Sequence, residues 1–350
     1  MDGYACRSED LADKAELSLI GESLAGHPFA GKLSAGSCIR ITTGAAVPAG
    51  ADTVVIQENV RIDGERVTLI EVPAAGANIR AVGHDVAAGD IIARRGQLLN
   101  PMDLGWIAAC GVPSALTFVP PKVAVFSTGD ELVEPGSSLS DGQIFDSNRF
   151  AVAALLQHLP AQVTDLGILP DDPAAIEAAI SEAARTHDLL ITSGGVSVGD
   201  ADHIKEVVQS LGSLSIWRLN LKPGKPLAYG QLEKAHFVGL PGNPVSTIVT
   251  FLLVARPLLL KLAGANFRES ASQNARLSEP LRHNPGREEY QRGILSGTTD
   301  NRWVTVSGDQ SSNRMATFSG ADCLIRIPKE APDLDAGESV EVLPFYGLLN

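Results

Sequence analysis

The chain has 350 residues, 44% hydrophobic and 20% charged, which excludes the disordered class and gives length for two or three domains with sizeable cores. A formal net charge of -13 argues against a duplex-binding surface, because phosphate neutralisation needs clustered Lys and Arg, so any anion site must be local. Cys6, Cys38, Cys110 and Cys323 lie far apart and form no CxxC pair, and the histidines lack paired ligand spacing, so neither a zinc knuckle nor a disulfide framework is suggested.

The chain opens Met1-Asp2-Gly3-Tyr4-Ala5 without a basic and then apolar leader, and the expected location is the cytoplasm. No run of about 18 apolar residues is free of a charge or a breaker; Val245 to Leu262 carries Arg256, Pro257 and Lys261 and reads as a buried helix, so no membrane span is expected. Residues 1–120 read as a β-rich lobe, with strands at Cys38 to Thr42, Thr53 to Gln57 and Arg66 to Ile70 and a turn at Asp63-Gly64. Asn100-Pro101 caps a short helix to Ala109, and Pro120-Pro121 marks a boundary.

Over residues 121–265 strands and helices alternate, which predicts an α/β domain with a mostly parallel sheet. Strands are expected at Val123 to Phe126, Val163 to Leu169, Asp188 to Thr192, Trp217 to Leu221 and Phe237 to Leu240. Helices are expected at Asn148 to His158, Ala174 to Arg185 behind an Asp172 cap, Asp202 to Leu211, and from Pro244 to Leu262 behind an Asn243 cap, with Pro257 kinking or ending the last. Residues 266–350 read as a C-terminal β domain, with strands at Trp303 to Val306, Cys323 to Pro328 and Ser339 to Val342.

Four strands end in loops that combine Gly with Asp, Glu, Lys or Ser: Ser127 to Glu131, Ser193 to Asp202, Lys222 to Pro226 and Pro241 to Pro244. Right-handed crossovers bring such ends to one sheet edge, so the four loops are expected to line one crevice. Gly194, Gly195 and Gly199 allow amides to converge on an anion, and Ser193 and Ser197 add hydroxyls. Lys222 and Lys225 read as an oxyanion grip in a Pro-Gly frame, or as a turn with two solvated lysines. Asp130, Glu131, Asp200 and Asp202 can hold Mg²⁺ between phosphate oxygens, while each alone reads as a cap or a solvated acid. No GxxxxGK[ST] or GxGxxG pattern is present.

At these residues the chain resembles the molybdopterin molybdenumtransferase family, which loads molybdate onto adenylylated molybdopterin with release of AMP and is related to the C-terminal domain of gephyrin. The resemblance rests on Met1 to Ala5, Arg40-Ile41-Thr42-Thr43-Gly44-Ala45, Gly50 to Val55, Asn78-Ile79-Arg80, Ser127 to Leu132, Asp146-Ser147-Asn148, Ser193 to Asp202, Lys222 to Pro226 and Gly239 to Pro244, in the family's order over nearly the whole chain. It implies a homodimer whose N-terminal lobes complete the partner's crevice. Asp2, Thr43 and Asp85 would act there, with Glu131, Asp171 and Asp202 as the crevice's own functional acids. Asn148, Gly224, Pro241, Gly242 and Asn243 would join the glycine loop around substrate, and Lys222, Lys225, Arg292 and one of Ser311 or Ser312 would surround molybdate. Mg²⁺ or another divalent cation would sit on Glu131, Asp200 and Asp202. Implied partners are the adenylyltransferase that makes the substrate and the molybdoenzymes that receive the product. The family begins with a helical segment before Met-Asp-Gly-Tyr-Ala, where this chain starts on the motif; its Gly-Glu-Asp reads Gly83-His84-Asp85 here, and Gln310 to Asn313 matches only loosely. The rival readings are a molybdopterin adenylyltransferase, whose single domain resembles residues 122–265, and a non-catalytic pterin-binding scaffold.

Overall fold

The computed structural model describes residues 1–12, 15–195, 203–266 and 272–348, the side chains of Ile216 and Trp217 excepted. The chain divides into two compact units, Met1–Ile92 and Ala93–Asn350.

The first unit is built on a six-stranded sheet of β1 (Gly3–Cys6), β2 (Glu16–Ser23), β3 (Ser37–Ile41), β4 (Thr53–Ile56), β5 (Val60–Asp63) and β6 (Arg66–Leu69), in the order β4-β1-β3-β2-β6-β5. All neighbours are antiparallel except β2 and β3. The opening motif is strand β1, flanked on both edges by β3 and β4, with Ala5 and Cys6 fully buried. The Asp63-Gly64 turn closes the β5–β6 hairpin with Gly64 at φ +57, in the left-handed region that a tight hairpin requires.

In the second unit, helix α1 (Pro101–Ala109) starts at a capping box: the Asn100 side chain accepts from the Asp103 amide, and the Asp103 side chain accepts from the Asn100 amide. The central sheet contains β7 (Lys122–Thr128), β10 (Gln162–Leu169), β11 (Leu189–Ser193), β12 (Gly212–Arg218), β14 (Pro226–Leu232) and β15 (Ala235–Leu240), with the short pair β8 (Leu132–Val133) and β9 (Ile144–Phe145) beside it. Its order is β10-β7-β11-β15-β14-β12; the first four run parallel and the last two antiparallel. Alternate residues feed two cores. Val125, Ile191 and Val238 pack with α2 (Asn148–Leu156) and the long helix described below, whereas Phe126, Leu190 and Phe237 pack with α3 (Pro173–Thr186) and α4 (His203–Leu211).

The expected strand at Trp217 to Leu221 is corrected. β12 ends at Arg218, and Leu221–Lys222 forms β13, which leaves this sheet for the C-terminal one. Strand β14 follows; its Gly-bearing Leu227 to Gly230 run gives little alternating signal. Because β12 and β14 are antiparallel, the loop between them still emerges at the edge where β7, β11 and β15 end.

Helix α5 (Pro244–Thr250) passes through a π turn at Phe251–Ala255 into α6 (Arg256–Leu262). Pro257 therefore neither ends nor breaks the run: a wider turn relieves the ring's clash with the preceding carbonyls and its missing N–H. The whole helix is long and apolar enough to cross a membrane, and 67% of its most apolar window is buried inside this unit.

The C-terminal sheet closes on itself. Strands β16 (Gln273–Leu277), β17 (Glu288–Thr298), β18 (Asn301–Val306), β19 (Cys323–Ile327) and β20 (Ser339–Pro344) pair in the ring β17-β18-β16-β20-β19-β17, with β13 added along β17 and the short helix α7 (Phe345–Leu348) at the end. Leu277, Val304, Ile325 and Val342 fill the barrel.

Candidate functional site

A cleft of about 730 Å³ opens where the parallel strands end. Loops after β7, β11 and β15 and the loop before β14 all reach it, contributing Glu131, Gly194 and Gly195, Gly242 and Asn243, and Lys222, Gly224 and Lys225. Pro241, Ser246 and Ile144 complete that side, and the C-terminal barrel adds Arg287, Glu289, Gln310, Ser311 and Ser312. Strand order fixes the sequence along the rim, from Glu131 past the glycines and Asn243 to Lys225. That is three strand spacings, or about 14 Å.

The glycine turn is demanding. Gly194 and Gly195 have φ +88 and +63, and a Cβ on Gly195 would lie 2.6 Å from Ile204 Cδ1. Gly129, at φ +144, leaves the space in which the Glu131 carboxylate lies, because a Cβ there would sit 2.5 Å from Glu131 Oε2. Gly224 lets its loop pass against Thr250, whose Oγ1 would be 2.5 Å from an added Cβ.

Asn243 stands at the N-cap of α5, yet its side chain makes no capping bond, so the expected cap is corrected. The Thr247 hydroxyl donates to Pro241 O at 2.5 Å and holds the turn instead, which leaves the Asn243 amide to the cleft wall.

Other expected contacts move off the wall. Ser193 is buried, its hydroxyl 3.1 Å from that of Ser127, and it ties β11 to β7 rather than facing a ligand. Asn148 donates from Nδ2 to Gly242 O at 2.7 Å, so it holds the Pro241-Gly242 loop from behind; its Oδ1 is buried without a partner among the described residues. Asp171 is exposed at the end of β10, one strand outboard of β7, and is not on the wall. Ser197, Gly199, Asp200 and Asp202 lie outside the described residues.

Arg292 is the largest correction. It is 0% exposed, and its guanidinium donates to the carbonyls of Asp309, Gln310 and Ser311 and to Thr317 Oγ1, at 2.9–3.3 Å. Burial pulls its pKa down to about 10. With its donors committed to the loop, it shapes the 309–312 segment from inside. The arginine on the cleft wall is Arg287.

The two serine candidates differ. Ser311 Oγ donates to Asp309 Oδ1 at 2.6 Å, whereas among the described residues Ser312 is tied only through its carbonyl, which accepts from Val245 N at 3.0 Å. Lys222 Nζ is 3.0 and 3.1 Å from the two oxygens of the buried Glu289. Lys225 is exposed. Among the described residues the wall carries three cations and two carboxylates. Arg287 and Glu289 escape a reading of the sequence because Gly286-Arg287-Glu288-Glu289-Tyr290 looks like a solvated charge run.

Among the described residues Glu131 is the carboxylate on the wall with no ion-pair partner, a hard oxygen donor on the same wall as Gly194 and Gly195, and so fits one ligand position of a Mg²⁺ ion. Among the described residues no group of three His, Cys, Asp or Glu forms a complete metal cluster.

The first unit has its own hollow of about 670 Å³, where Met1, the Thr42 to Val47 turn and Asn78 to Arg80 meet. Asp2 Oδ1 accepts from Thr43 N at 2.8 Å and from its hydroxyl at 3.0 Å, which lowers the Asp2 pKa. Asn78, at φ +60, donates to Val54 O at 2.8 Å. Asp85 is exposed and does not line this hollow.

Three family models match in succession: the MoeA N-terminal region (domain I and II) over residues 1–111, a probable molybdopterin binding domain over 124–261, and the MoeA C-terminal region (domain IV) over 274–345. The molybdopterin molybdenumtransferase of Haemophilus influenzae is 42% identical over 352 residues, covering 100% of this chain and 87% of its own. Gephyrin of Dictyostelium discoideum is 32% identical over 98% of this chain and 55% of its own. The crystal structure of the molybdopterin biosynthesis MoeA protein from Pyrococcus horikoshii superposes with a TM-score of 0.77 at 31% identity, covering 99% of this chain and 86% of that one.

Proposed function

Because this chain belongs to the molybdopterin molybdenumtransferase family, we propose that the cleft at the strand ends is where it inserts molybdate into adenylylated molybdopterin and releases AMP. The observation that carries this reading is the sharing of one cleft by the Gly194-Gly195 turn, Glu131 and the cations Lys222, Lys225 and Arg287. The glycine amides bind the phosphoanhydride. At the other end of the rim the cations offset the charge of the molybdate dianion while the two dithiolene sulfurs bind molybdenum and one of its oxygens leaves as water with the two thiol protons. Arg287 takes the place first expected for Arg292, and the Ser312 hydroxyl serves as donor to the oxyanion, because that of Ser311 is held by Asp309. Glu131 would hold Mg²⁺, with Asp200 and Asp202 as further ligands; the ion's chemistry is to withdraw charge from the anhydride as water cleaves it.

The enzyme works as a homodimer in which Asp2, Thr43 and Asp85 of one copy act at the cleft of the other. Exposed Met102, Leu104 and Trp106 on α1 and Leu116 and Val119 beyond it support a surface that a second copy covers. Light scattering should give about twice the 36.7 kDa chain mass; a monomer at assay concentrations would remove the shared site. All four cysteines are free thiols, which suits a cytoplasmic enzyme that takes its substrate from an adenylyltransferase and passes its product to molybdoenzymes.

The test is incubation with adenylylated molybdopterin and molybdate. Molybdate-dependent AMP release together with cofactor that activates an apo-molybdoenzyme is expected. Consumption of ATP with free molybdopterin would assign the chain to adenylyl transfer, and binding without turnover would make it a scaffold.

A further inference from the structure

We propose that Glu289 is a positioning residue for the metal oxyanion, holding the Lys222 ammonium where it meets molybdate; this rests on the cleft assignment above. Glu289 is an unusual resident of an anion site. It is 3% exposed, lines the cleft, and carries a charge that repels the ligand. Its surroundings explain its retention. β13 runs parallel to β17 with Lys222 opposite Glu289, and both carboxylate oxygens lie 3.0–3.1 Å from Lys222 Nζ. Gln291 donates to Oε1 at 3.0 Å, and His283 Nε2 lies 3.9 Å from Oε2 and 3.0 Å from Arg287 O. The carboxylate thus joins the loop bearing Lys222 to the strand that follows Arg287. The lysine side chain is 42% exposed, and its four-carbon stem has many rotamers to lose. A fixed acceptor behind the ammonium removes that freedom before the anion arrives.

Two effects of opposite sign compete, so the proposal is open to refutation. If Glu289 only dilutes the positive charge, Glu289→Gln tightens molybdate binding. If it aims Lys222, losing the carboxylate weakens binding although the cleft becomes more positive. Glu289→Asp keeps the charge and withdraws it by one methylene, which separates geometry from charge. Molybdate KM and kcat for AMP release, together with the Kd for adenylylated molybdopterin, should be measured in wild type, Glu289→Asp, Glu289→Gln, Lys222→Met and the Lys222→Met/Glu289→Asp double variant. The expected result is a molybdate KM raised about tenfold in both Glu289 variants, with pterin Kd within about twofold of wild type, and no further rise when Glu289→Asp is added to Lys222→Met. A silent Glu289→Asp, a lowered KM in Glu289→Gln, or additive effects in the double variant would each overturn it. Should Glu289→Gln not fold, the Asp cycle decides alone. Loss of molybdate-dependent AMP release in the wild type would instead sink the cleft assignment itself.

Discussion

The guanidinium of Arg292 serves three successive loop carbonyls and a threonine hydroxyl from a fully buried position. Arg292→Leu leaves those acceptors unpaired, so urea unfolding should show a loss of about 2–4 kcal/mol, and the molybdate KM should rise because the 309–312 loop relaxes. A variant as stable as the parent would show that water replaces the clamp without cost. The Asp2 clasp carries a pH signature. Hydrogen bonds from Thr43 lower its pKa below the ordinary 3.8, so this carboxylate contributes stability above its unfolded value that is lost as pH falls through the folded one. Carbon-detected NMR should find Asp2 still ionised at pH 4, and half-protonation at or above 3.8 would contradict the clasp. Burial pushes the thiols of Cys6, Cys38 and Cys323 up to about 12. Iodoacetamide should therefore label the native protein at Cys110 alone, as counted by mass spectrometry, and all four cysteines after unfolding.

At the scale of elements, the glycine turn after β11 is the least replaceable connection. Gly195→Ala imposes a left-handed residue worth about 1–2 kcal/mol and drives a methyl into Ile204. Reduced stability and a weaker grip on the adenylylated pterin should appear together; an unchanged pterin Kd would separate this turn from the phosphate. Such loops were legible because β7, β11 and β15 are largely apolar runs that stop at Gly or at Pro-Gly, and the helices between them are announced by caps such as Asp172, whose side chain accepts from Ala175 N. β17 was not legible. Glu289 and Arg292 are buried there with partners that arrive from elsewhere in the chain, Lys222 from 67 residues away and the Asp309 to Ser311 carbonyls from 17 to 19. β1 was hidden for a simpler reason: Gly-Tyr-Ala-Cys contains no β-branched residue, and its strand character comes from pairing on both edges. Within the site, residue types at strand ends were readable but side-chain direction was not. Ser193 and Asn148 hold the frame while Arg287, in a run that looks solvated, faces the cleft.

For the whole molecule, a formal charge of -13 must admit anionic substrates to a cleft with three cations. The two influences act over different distances. Contacts near 3 Å inside the cleft are little screened by salt, whereas the field of the distributed carboxylates reaches a Debye length, about 30 Å at 0.01 M and about 8 Å at 0.15 M. Raising KCl from about 10 to about 150 mM therefore removes more of the long-range repulsion than of the local attraction. Molybdate KM should fall over that interval, with kcat for AMP release nearly unchanged, and rise only at higher salt where chloride competes for Lys225 and Arg287. A KM that climbs steadily from the lowest salt would mean that the local cations already dominate the encounter.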